Sequence, residues 1–324
     1  MFQIVFRIPG LNLPVYGYGL MLVVAFLVCA YVARAMAGRI GLDGEAFINA
    51  ALIAMLTGIV GARVSDVLEN WHEFFNPQRS VIEGLFDAVN IRSGGLTFYG
   101  GFILATPCCI VYGIRKRLPI LRSMDIVAPV LMIGLGLGRI GCYLNGCCYG
   151  ELCRPSFGAA LTEFPYYSNP YIEQFNRGLI HPAEVLLTPA PGGGSELKTP
   201  QQVHADGLES IARQEHSLPV QPTQLYSCLT ALLLAALLLA YWTLPHLDGR
   251  VFALMMMIEG PSRFLLEMLR VEPPVFNRVI AGFPVSMSLS MVIGLAVFAA
   301  GGLMWLLVGA LKSSENTGNF AHAH

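Results

Sequence analysis

The 324 residues are 55% hydrophobic and only 13% charged, whereas soluble globular domains carry roughly 25% charged residues. Together with a mean hydropathy of +0.59, this composition excludes an ordinary soluble enzyme and indicates a protein of the lipid bilayer. The net charge of −1 and the lack of a basic stripe in the sequence argue against nucleic acid as a partner.

Seven apolar stretches are long enough to cross a bilayer. Hydrocarbon about 30 Å thick needs roughly 20 residues per helix, and backbone groups in lipid must find their partners within the segment. The stretches lie at about 14–34, 46–66, 94–114, 123–144, 223–244, 250–270 and 285–311. We therefore predict an all-α integral membrane protein with about seven transmembrane helices.

The positions of lysine and arginine predict the orientation of these helices. Short loops rich in these residues stay on the cytoplasmic side, and such residues follow the first, third, fifth and seventh stretches. The N-terminus is then outside and the C-terminus cytoplasmic. We predict helices 1–4 with an outer-leaflet site motif in 1–150, a partly flexible external loop region in 151–222, and helices 5–7 with a short cytoplasmic tail in 223–324.

Three arginines fall within or at the edge of predicted spans. A charge in the membrane is costly and usually marks a polar cavity or an ion pair. Arg63 has Asp66 three residues later, so a structural ion pair is an alternative to a functional role. Arg139 has no carboxylate within one helical turn. Arg263 has a glutamate four residues away on each side, which fits either a structural ion ladder or an active-site cluster.

Polar residues from six predicted helices converge on the outer leaflet. A transporter would place such groups near the midplane instead, so we predict a site that opens to the outer leaflet and to external water. Tyrosines at this depth can also be interfacial anchors. The converging residues are Tyr18, Arg63, Asp66, Tyr99, Arg139, Asn145, Gln224, Tyr226 and Arg263.

Residues 134–150 contain six glycines around Arg139. Close packing of helices accounts for positions such as Gly138 and Gly141. It does not account for the arginine beside them or for Gly150, where the span has ended and backbone N–H groups are freed. Because a phosphate binds an arginine and oriented backbone donors, we predict a phosphate-binding site at the membrane surface.

Four cysteines surround the outer end of the fourth span: Cys142, Cys147, Cys148 and Cys153. An external, oxidising location favours a disulfide among them, whereas a metal site is the weaker alternative because adjacent cysteines do not match common zinc spacings. The same cluster is the basis of a rival function, a membrane thiol-quinone oxidoreductase that uses Cys147 and Cys148.

At this point the sequence resembles the bacterial prolipoprotein diacylglyceryl transferase family, whose seven-helix architecture with an external N-terminus matches the predicted topology. The resemblance does not extend to the loop 151–220. The motifs that carry it are Tyr18-Gly-Leu-Met21, Gly61-Ala-Arg63, Gly94-Gly-Leu-Thr-Phe-Tyr-Gly-Gly101, Asp125-Ile-Val-Ala-Pro129, Gly138-Arg-Ile-Gly-Cys-Tyr-Leu-Asn-Gly146, Gln221-Pro-Thr-Gln-Leu-Tyr226 and Arg263-Phe-Leu-Leu-Glu267 with Arg270.

The resemblance implies transfer of a diacylglyceryl group from phosphatidylglycerol, a membrane lipid, to the lipobox cysteine thiol in the signal peptide of a prolipoprotein. Glycerol 1-phosphate is released, the enzyme lies in the bacterial inner membrane, and neither a cofactor nor a metal is expected. Arg139 and Arg263 hold the phosphate and stabilise the leaving group. The other implied substrate-binding residues are Tyr18, Asn145, Gly150, Gln224, Arg63 and Glu267.

The sequence departs from the family pattern at the catalytic base. Tyr99 stands where family members commonly carry a histidine that takes the thiol proton, and a tyrosine with a pKa near 10 is a poor base at neutral pH. Glu259, which replaces the family's usual tyrosine, is the first alternative base and Glu267 the second. Another alternative is a paralogue that uses a different acceptor or a different anionic lipid.

Overall fold

A computed structural model describes residues 4–7, 14–75, 80–89, 98–153, 162–189, 194–270, 276–280 and 283–321. The chain is mostly helical, with three short antiparallel strand pairs, β1 with β2, β3 with β4 and β5 with β6, that the sequence did not predict. In chain order the elements are β1 (Ile4–Arg7), β2 (Pro14–Tyr16), α1 (Gly17–Arg39), α2 (Gly44–Glu69), α3 (Trp71–Phe74), α4 (Val81–Val89), α5 (Phe98–Arg115), α6 (Ile120–Asn145), α7 (Asn169–Asn176), β3 (Leu187–Pro189), β4 (Ser195–Leu197), α8 (Pro200–Ala205), α9 (Glu209–Ala212), α10 (Thr223–Trp242), α11 (Arg250–Glu267), β5 (Phe276–Ile280), β6 (Phe283–Met287) and α12 (Leu289–Ala321).

Five helices of the described chain are long and apolar enough to cross a membrane: α1, α2, α6, α10 and the part Leu289–Ala310 of α12. Many of their large apolar side chains, such as Leu233 and Leu306, are exposed in the isolated chain, as expected for surfaces that face lipid. The prediction of a multi-pass helical membrane protein is thus confirmed. The remaining two predicted spans are helical as well, but α5 is apolar over only Gly100–Arg115 and α11 carries four charged residues.

The chain divides into two compact units, and the division runs through α1 and α6. Unit 1 comprises Met1–Ala25 and Leu131–His324, and unit 2 comprises Phe26–Val130. Unit 1 contains the predicted phosphate motif, α10, α11 and α12, whereas unit 2 contains α2 and α5.

Within unit 1, glycines bring the helices close together. A Cβ on Gly260 of α11 would lie 2.5 Å from the carbonyl oxygen of Gly294 in α12, which only glycine permits at this distance. A Cβ on Gly141 of α6 would lie 3.1 Å from Cδ2 of the Tyr18 ring. Gly138 differs from the packing role that its spacing suggested, because no described atom lies within 4 Å of a Cβ built there.

Within unit 2, α2 and α5 approach each other backbone to backbone. A Cβ on Gly61 would lie 2.5 Å from the carbonyl oxygen of Gly100, and one on Gly100 would lie 2.2 Å from the Cβ of Ser65. Small residues at such crossings are how membrane helices gain contact, because lipid offers no hydrophobic driving force between them.

Residues 162–189 and 194–220 form a folded region of unit 1 rather than an open loop. Leu186, Val203 and Ala212 form a small apolar cluster that the ring of Tyr166 covers. Phe164 is fully buried, and its carbonyl accepts the Ser217 N–H at 2.8 Å. Within the loop region that was predicted to be partly flexible, β3 and β4 pair as a hairpin, and residues 190–193 between them lie outside the described part.

Candidate functional site

A small polar cavity of about 30 Å³ lies in unit 1 where α6, α10 and α11 meet. Three arginines and two glutamates face it, which is an unusual density of charge beside helices that cross a membrane. Its lining residues are Arg139, Cys148, Thr223, Ser227, Glu259, Arg263, Leu266, Glu267 and Arg270. The structure therefore brings together Arg139, Glu259, Arg263 and Glu267, which the sequence had singled out separately.

Arg139 and Arg263 are half-buried, yet neither side chain donates a hydrogen bond to another described residue. The Arg139 Nε is buried and has no hydrogen-bond partner in the described chain. No close ion pair joins either arginine to a carboxylate among the described residues. A buried charged donor without a partner is costly, and an anion in the cavity would remove that cost.

The two glutamates of α11 differ in their surroundings. Glu267 is only 4% exposed and pairs with Arg270 at 3.3 Å, while the Ser288 hydroxyl donates to it at 3.4 Å. Glu259 has electrostatic interactions with Arg263 and Arg139. Glu267 thus pairs with Arg270, whereas Glu259 lines the cavity near Arg139 and Arg263.

Residues 146–153 are tied to two helix ends by backbone hydrogen bonds. The Gly150 N–H donates to the carbonyl of Gln221 at 2.9 Å, and the Glu151 N–H donates to that of Leu269 at 3.1 Å. Gly150 is buried, and a Cβ there would lie 2.4 Å from the Leu269 carbonyl oxygen. Its backbone N–H is therefore used inside the protein, which differs from the free phosphate donor that the sequence suggested.

The start of α10 holds the same segment through side chains. The fully buried Gln224 donates from Nε2 to the Cys147 carbonyl at 2.7 Å, and the Thr223 hydroxyl donates to the Cys148 carbonyl at 2.7 Å. The Gln224 Oε1 is buried without a hydrogen-bond partner in the part of the chain that is described. Gln224 thus positions the cysteine segment and keeps one acceptor unused.

Tyr18 and Asn145 do not line the cavity, although both lie near residues that surround it. Tyr18 packs against Gly141, and it interacts electrostatically with Arg139 and with Cys142, Cys147 and Cys148. Asn145 ends α6 and interacts with the Cys147 thiol. Their assignment as substrate-binding residues stays a prediction.

A larger cleft of about 280 Å³ adjoins the charged cavity. Cys148 and Arg270 line both, so these two residues separate them. Arg177, which also lines the cleft, forms an ion pair with Glu173 at 2.6 Å. The cleft thus lies between α7 and the charged cavity.

Arg63 and Tyr99 belong to unit 2. Arg63 forms an ion pair with Asp66 at 2.8 Å, with the two side chains 8% and 11% exposed, and it donates to the carbonyls of Ala88 at 2.8 Å and of Asp87. The paired structural arrangement that the sequence allowed is thus present. Tyr99 is helical in α5, and its side chain lies outside the described residues.

Sequence reasoning missed five cavity residues: Cys148 as a wall, Thr223, Ser227, Leu266 and Arg270. Arg270 was noted in the sequence only as part of a motif, although its position three residues after Glu267 is a helical ion-pair spacing that could have revealed it. Thr223 and Ser227 carry no comparable signal, because single hydroxyl residues are common at helix starts.

Comparison with known proteins agrees with these features. The sequence profile described as prolipoprotein diacylglyceryl transferase matches residues 3–307. Proteins named phosphatidylglycerol-prolipoprotein diacylglyceryl transferase are similar to this chain: one from Paraburkholderia phymatum is 28% identical over 91% of this chain and 89% of its own length, and one from Clostridium tetani is 25% identical over 84% and 87%. A third, from Rhodopirellula baltica, is 32% identical over 62% of this chain, and the match spans 41% of that protein.

Proposed function

The chain belongs to the prolipoprotein diacylglyceryl transferase family, and from this membership we propose that it transfers the sn-1,2-diacylglyceryl group of phosphatidylglycerol to the lipobox cysteine of prolipoproteins. The observation that supports this most directly is the pair of half-buried arginines, Arg139 and Arg263, whose donors are not used within the described protein. A phosphodiester in the cavity gives those donors their acceptor.

In the proposed reaction, the acceptor thiol loses its proton to Glu259 and its sulfur attacks the glycerol carbon that bears the phosphate. A carbon–sulfur bond forms, the carbon–oxygen bond breaks, and glycerol 1-phosphate leaves. Negative charge builds up on the phosphate oxygens as that bond breaks, so arginines fixed at the phosphate stabilise the transition state more than the bound lipid. No step requires a cofactor.

The other predicted residues have supporting roles in this proposal. Tyr18, Asn145 and Gln224 border the lipid headgroup, and Gly150 allows the segment after α6 to reach the ends of α10 and α11. Glu267 orients Arg270. For Arg63 we propose a structural role in α2, because its guanidinium is already paired with a buried carboxylate.

We further propose that the chain crosses the bacterial inner membrane seven times with its N-terminus outside. α5 and α11 then cross the membrane as well, and together with the five apolar helices they make seven spans. The positions of lysine and arginine in the short loops support this orientation, and it makes the site face the outer leaflet, where exported prolipoproteins arrive.

Neither rival function has an observation in its favour. A thiol-quinone oxidoreductase gives no reason for three arginines and two glutamates around one cavity. A paralogue with another acceptor would share the lipid site and differ in the external region.

The test is transfer in vitro with purified chain, phosphatidylglycerol micelles and a synthetic lipobox peptide, followed by the mass gain of the peptide. We expect transfer from phosphatidylglycerol and none from phosphatidylethanolamine. Removing one preorganised charge stabiliser costs about 10²–10³-fold in rate, so Arg139→Ala and Arg263→Ala are expected to lose at least that much. Arg122→Ala is the matched control, because Arg122 is an exposed arginine in the same helix as Arg139. Full activity of both site variants would refute the proposal.

A further inference from the structure

Three cysteines at the end of α6 lie together beside the arginine cavity. The sulfur atoms of Cys142, Cys147 and Cys148 are all within 4.8 Å of one another, and each residue is half-buried. All three are free thiols. The proposed transfer reaction uses none of them, so this cluster has no explanation in that chemistry.

The spacing of these sulfurs suits one metal ion. Zinc binds thiolate sulfur at about 2.3 Å, so three sulfurs around one ion are about 3.8–4.0 Å apart. Sulfurs already within 4.8 Å of one another reach that distance through shifts of less than ~1 Å, which side-chain rotation supplies. Soft thiolate ligands favour Zn²⁺ and Cu⁺ over hard ions such as Mg²⁺ and Ca²⁺.

The backbone that carries the cluster is held in a specific shape. Gly146 and Cys148 have φ values of +69° and +62°, a conformation that costs energy for a residue other than glycine unless its surroundings fix it. The Cys147 N–H donates to the Cys142 carbonyl at 3.1 Å. The carbonyls of Cys147 and Cys148 accept from Gln224 and Thr223. The three thiols are thereby held together before any ligand binds.

We propose that Cys142, Cys147 and Cys148 form a binding site for a single thiophilic metal ion, with three thiolate ligands. Each thiol gives its proton to solvent as the metal–sulfur bond forms. A Zn²⁺ ion completes its coordination with a water molecule, whereas a Cu⁺ ion is satisfied by three sulfurs. The bound ion fastens the end of α6 to the segment that leads to Gly150.

The test is a metal titration of the purified full-length chain in detergent, kept reduced with a phosphine under argon. Cd²⁺ is the first probe, because its thiolate complexes have an ultraviolet charge-transfer band. We expect the band to saturate at one ion per chain and Zn²⁺ to displace the Cd²⁺. A separate titration with Cu⁺ held by a competing chelator decides which of the two biological ions binds more tightly.

Matched variants locate the site. Cys147→Ser and Cys148→Ser each remove one of three ligands and are expected to weaken Cd²⁺ binding at least ~tenfold, the scale on which even outer-shell changes act. Cys153→Ser is the control, because Cys153 is a half-buried cysteine of the same segment outside the cluster, and its titration should equal that of the wild type.

Alkylation gives a second measurement that needs no variant. Zn²⁺ should protect Cys142, Cys147 and Cys148 of the wild-type chain from N-ethylmaleimide, while Cys153 keeps its reactivity, as read by mass spectrometry of peptides. No charge-transfer band in the wild type, an undiminished band in the double variant Cys147→Ser/Cys148→Ser, or equal alkylation with and without Zn²⁺ would each overturn the proposal.

Discussion

Replacing Arg63 by methionine tests whether this arginine is a structural residue or a substrate ligand. Its guanidinium pairs with Asp66 at 2.8 Å, donates to two backbone carbonyls of the α4 end and lies 5.1 Å from the centre of the Phe74 ring. The Arg63→Met change keeps much of the side-chain length and removes all of these polar contacts. It leaves the Asp66 carboxylate in place without its partner.

The burial of the ion pair between Arg63 and Asp66 determines how much stability the Arg63→Met variant is expected to lose. With side chains that are 8% and 11% exposed, the two charges have little water around them, so the discount for exposed ion pairs does not apply. Removing one partner of a buried pair destabilises a protein by about 3–5 kcal/mol. A loss of ~3 kcal/mol corresponds to a change of more than ~100-fold in the folded-to-unfolded ratio.

The second variant adds Asp66→Leu to Arg63→Met. Replacing both members of a buried pair by apolar residues is often close to neutral, so the double variant should recover most of the lost stability. Thermal unfolding of the detergent-solubilised chain and transfer to a lipobox peptide are measured on both variants. We expect the double variant to transfer within about threefold of the wild type. A stable double variant without activity would refute the structural role and support substrate binding by Arg63.

The remaining predictions concern the lipid site. Gly150→Ala is expected to destabilise the chain by about 1–3 kcal/mol, since its Cβ would lie 2.4 Å from the Leu269 carbonyl oxygen, and thermal unfolding measures this; an unchanged melting temperature would contradict the close approach. Arg139→Lys keeps the charge but loses the planar fork, so kcat/KM for phosphatidylglycerol should fall about 10–100-fold, and equal activity would exclude a bidentate phosphate contact. Glu259→Gln should lower kcat without raising KM, whereas Tyr99→Phe should keep most activity; the reverse result would make the tyrosine the base.

The membrane architecture was predictable because it depends on local composition. Each apolar stretch predicts its helix without reference to the rest of the chain, and each of the seven stretches overlaps one of the observed helices. Charged residues at helical spacing were predictable for the same reason, as Arg63 with Asp66 shows. Each of these features depends only on residues within a single helix.

The long-range part of the site was not predictable in this way. The contacts of Gln224 and Thr223 with the cysteine segment join residues 77 and 75 positions apart in the chain, and no local pattern encodes them. The role of Gly150 was misjudged for the same reason, because its N–H is used by the Gln221 carbonyl. The glycine indicated that the backbone has a special role at this position, and only the tertiary structure shows that this role is a contact within the protein.

Three arginines that look alike in the sequence thus differ in how far other groups of the protein neutralise their charge. Arg63 is paired with Asp66 and with backbone carbonyls, and Arg270 is paired with Glu267, whereas Arg139 forms no ion pair with a carboxylate among the described residues. An arginine whose charge a carboxylate of the protein already neutralises contributes little to the binding of another anion. An arginine that forms no ion pair with a carboxylate keeps its attraction for an anion, so the contacts of each arginine distinguish a structural role from substrate binding.

The charge of the cavity follows the proposed reaction step by step. Three arginines against two glutamates leave one positive charge, which equals the single negative charge of the phosphodiester in phosphatidylglycerol. When Glu259 takes the thiol proton, the cavity gains a second positive charge, while the departing phosphate gains a second negative charge. Because the two charges stay matched, neither proton transfer nor bond cleavage leaves an excess charge in the cavity, and this condition favours a carboxylate as the base over the neutral Tyr99.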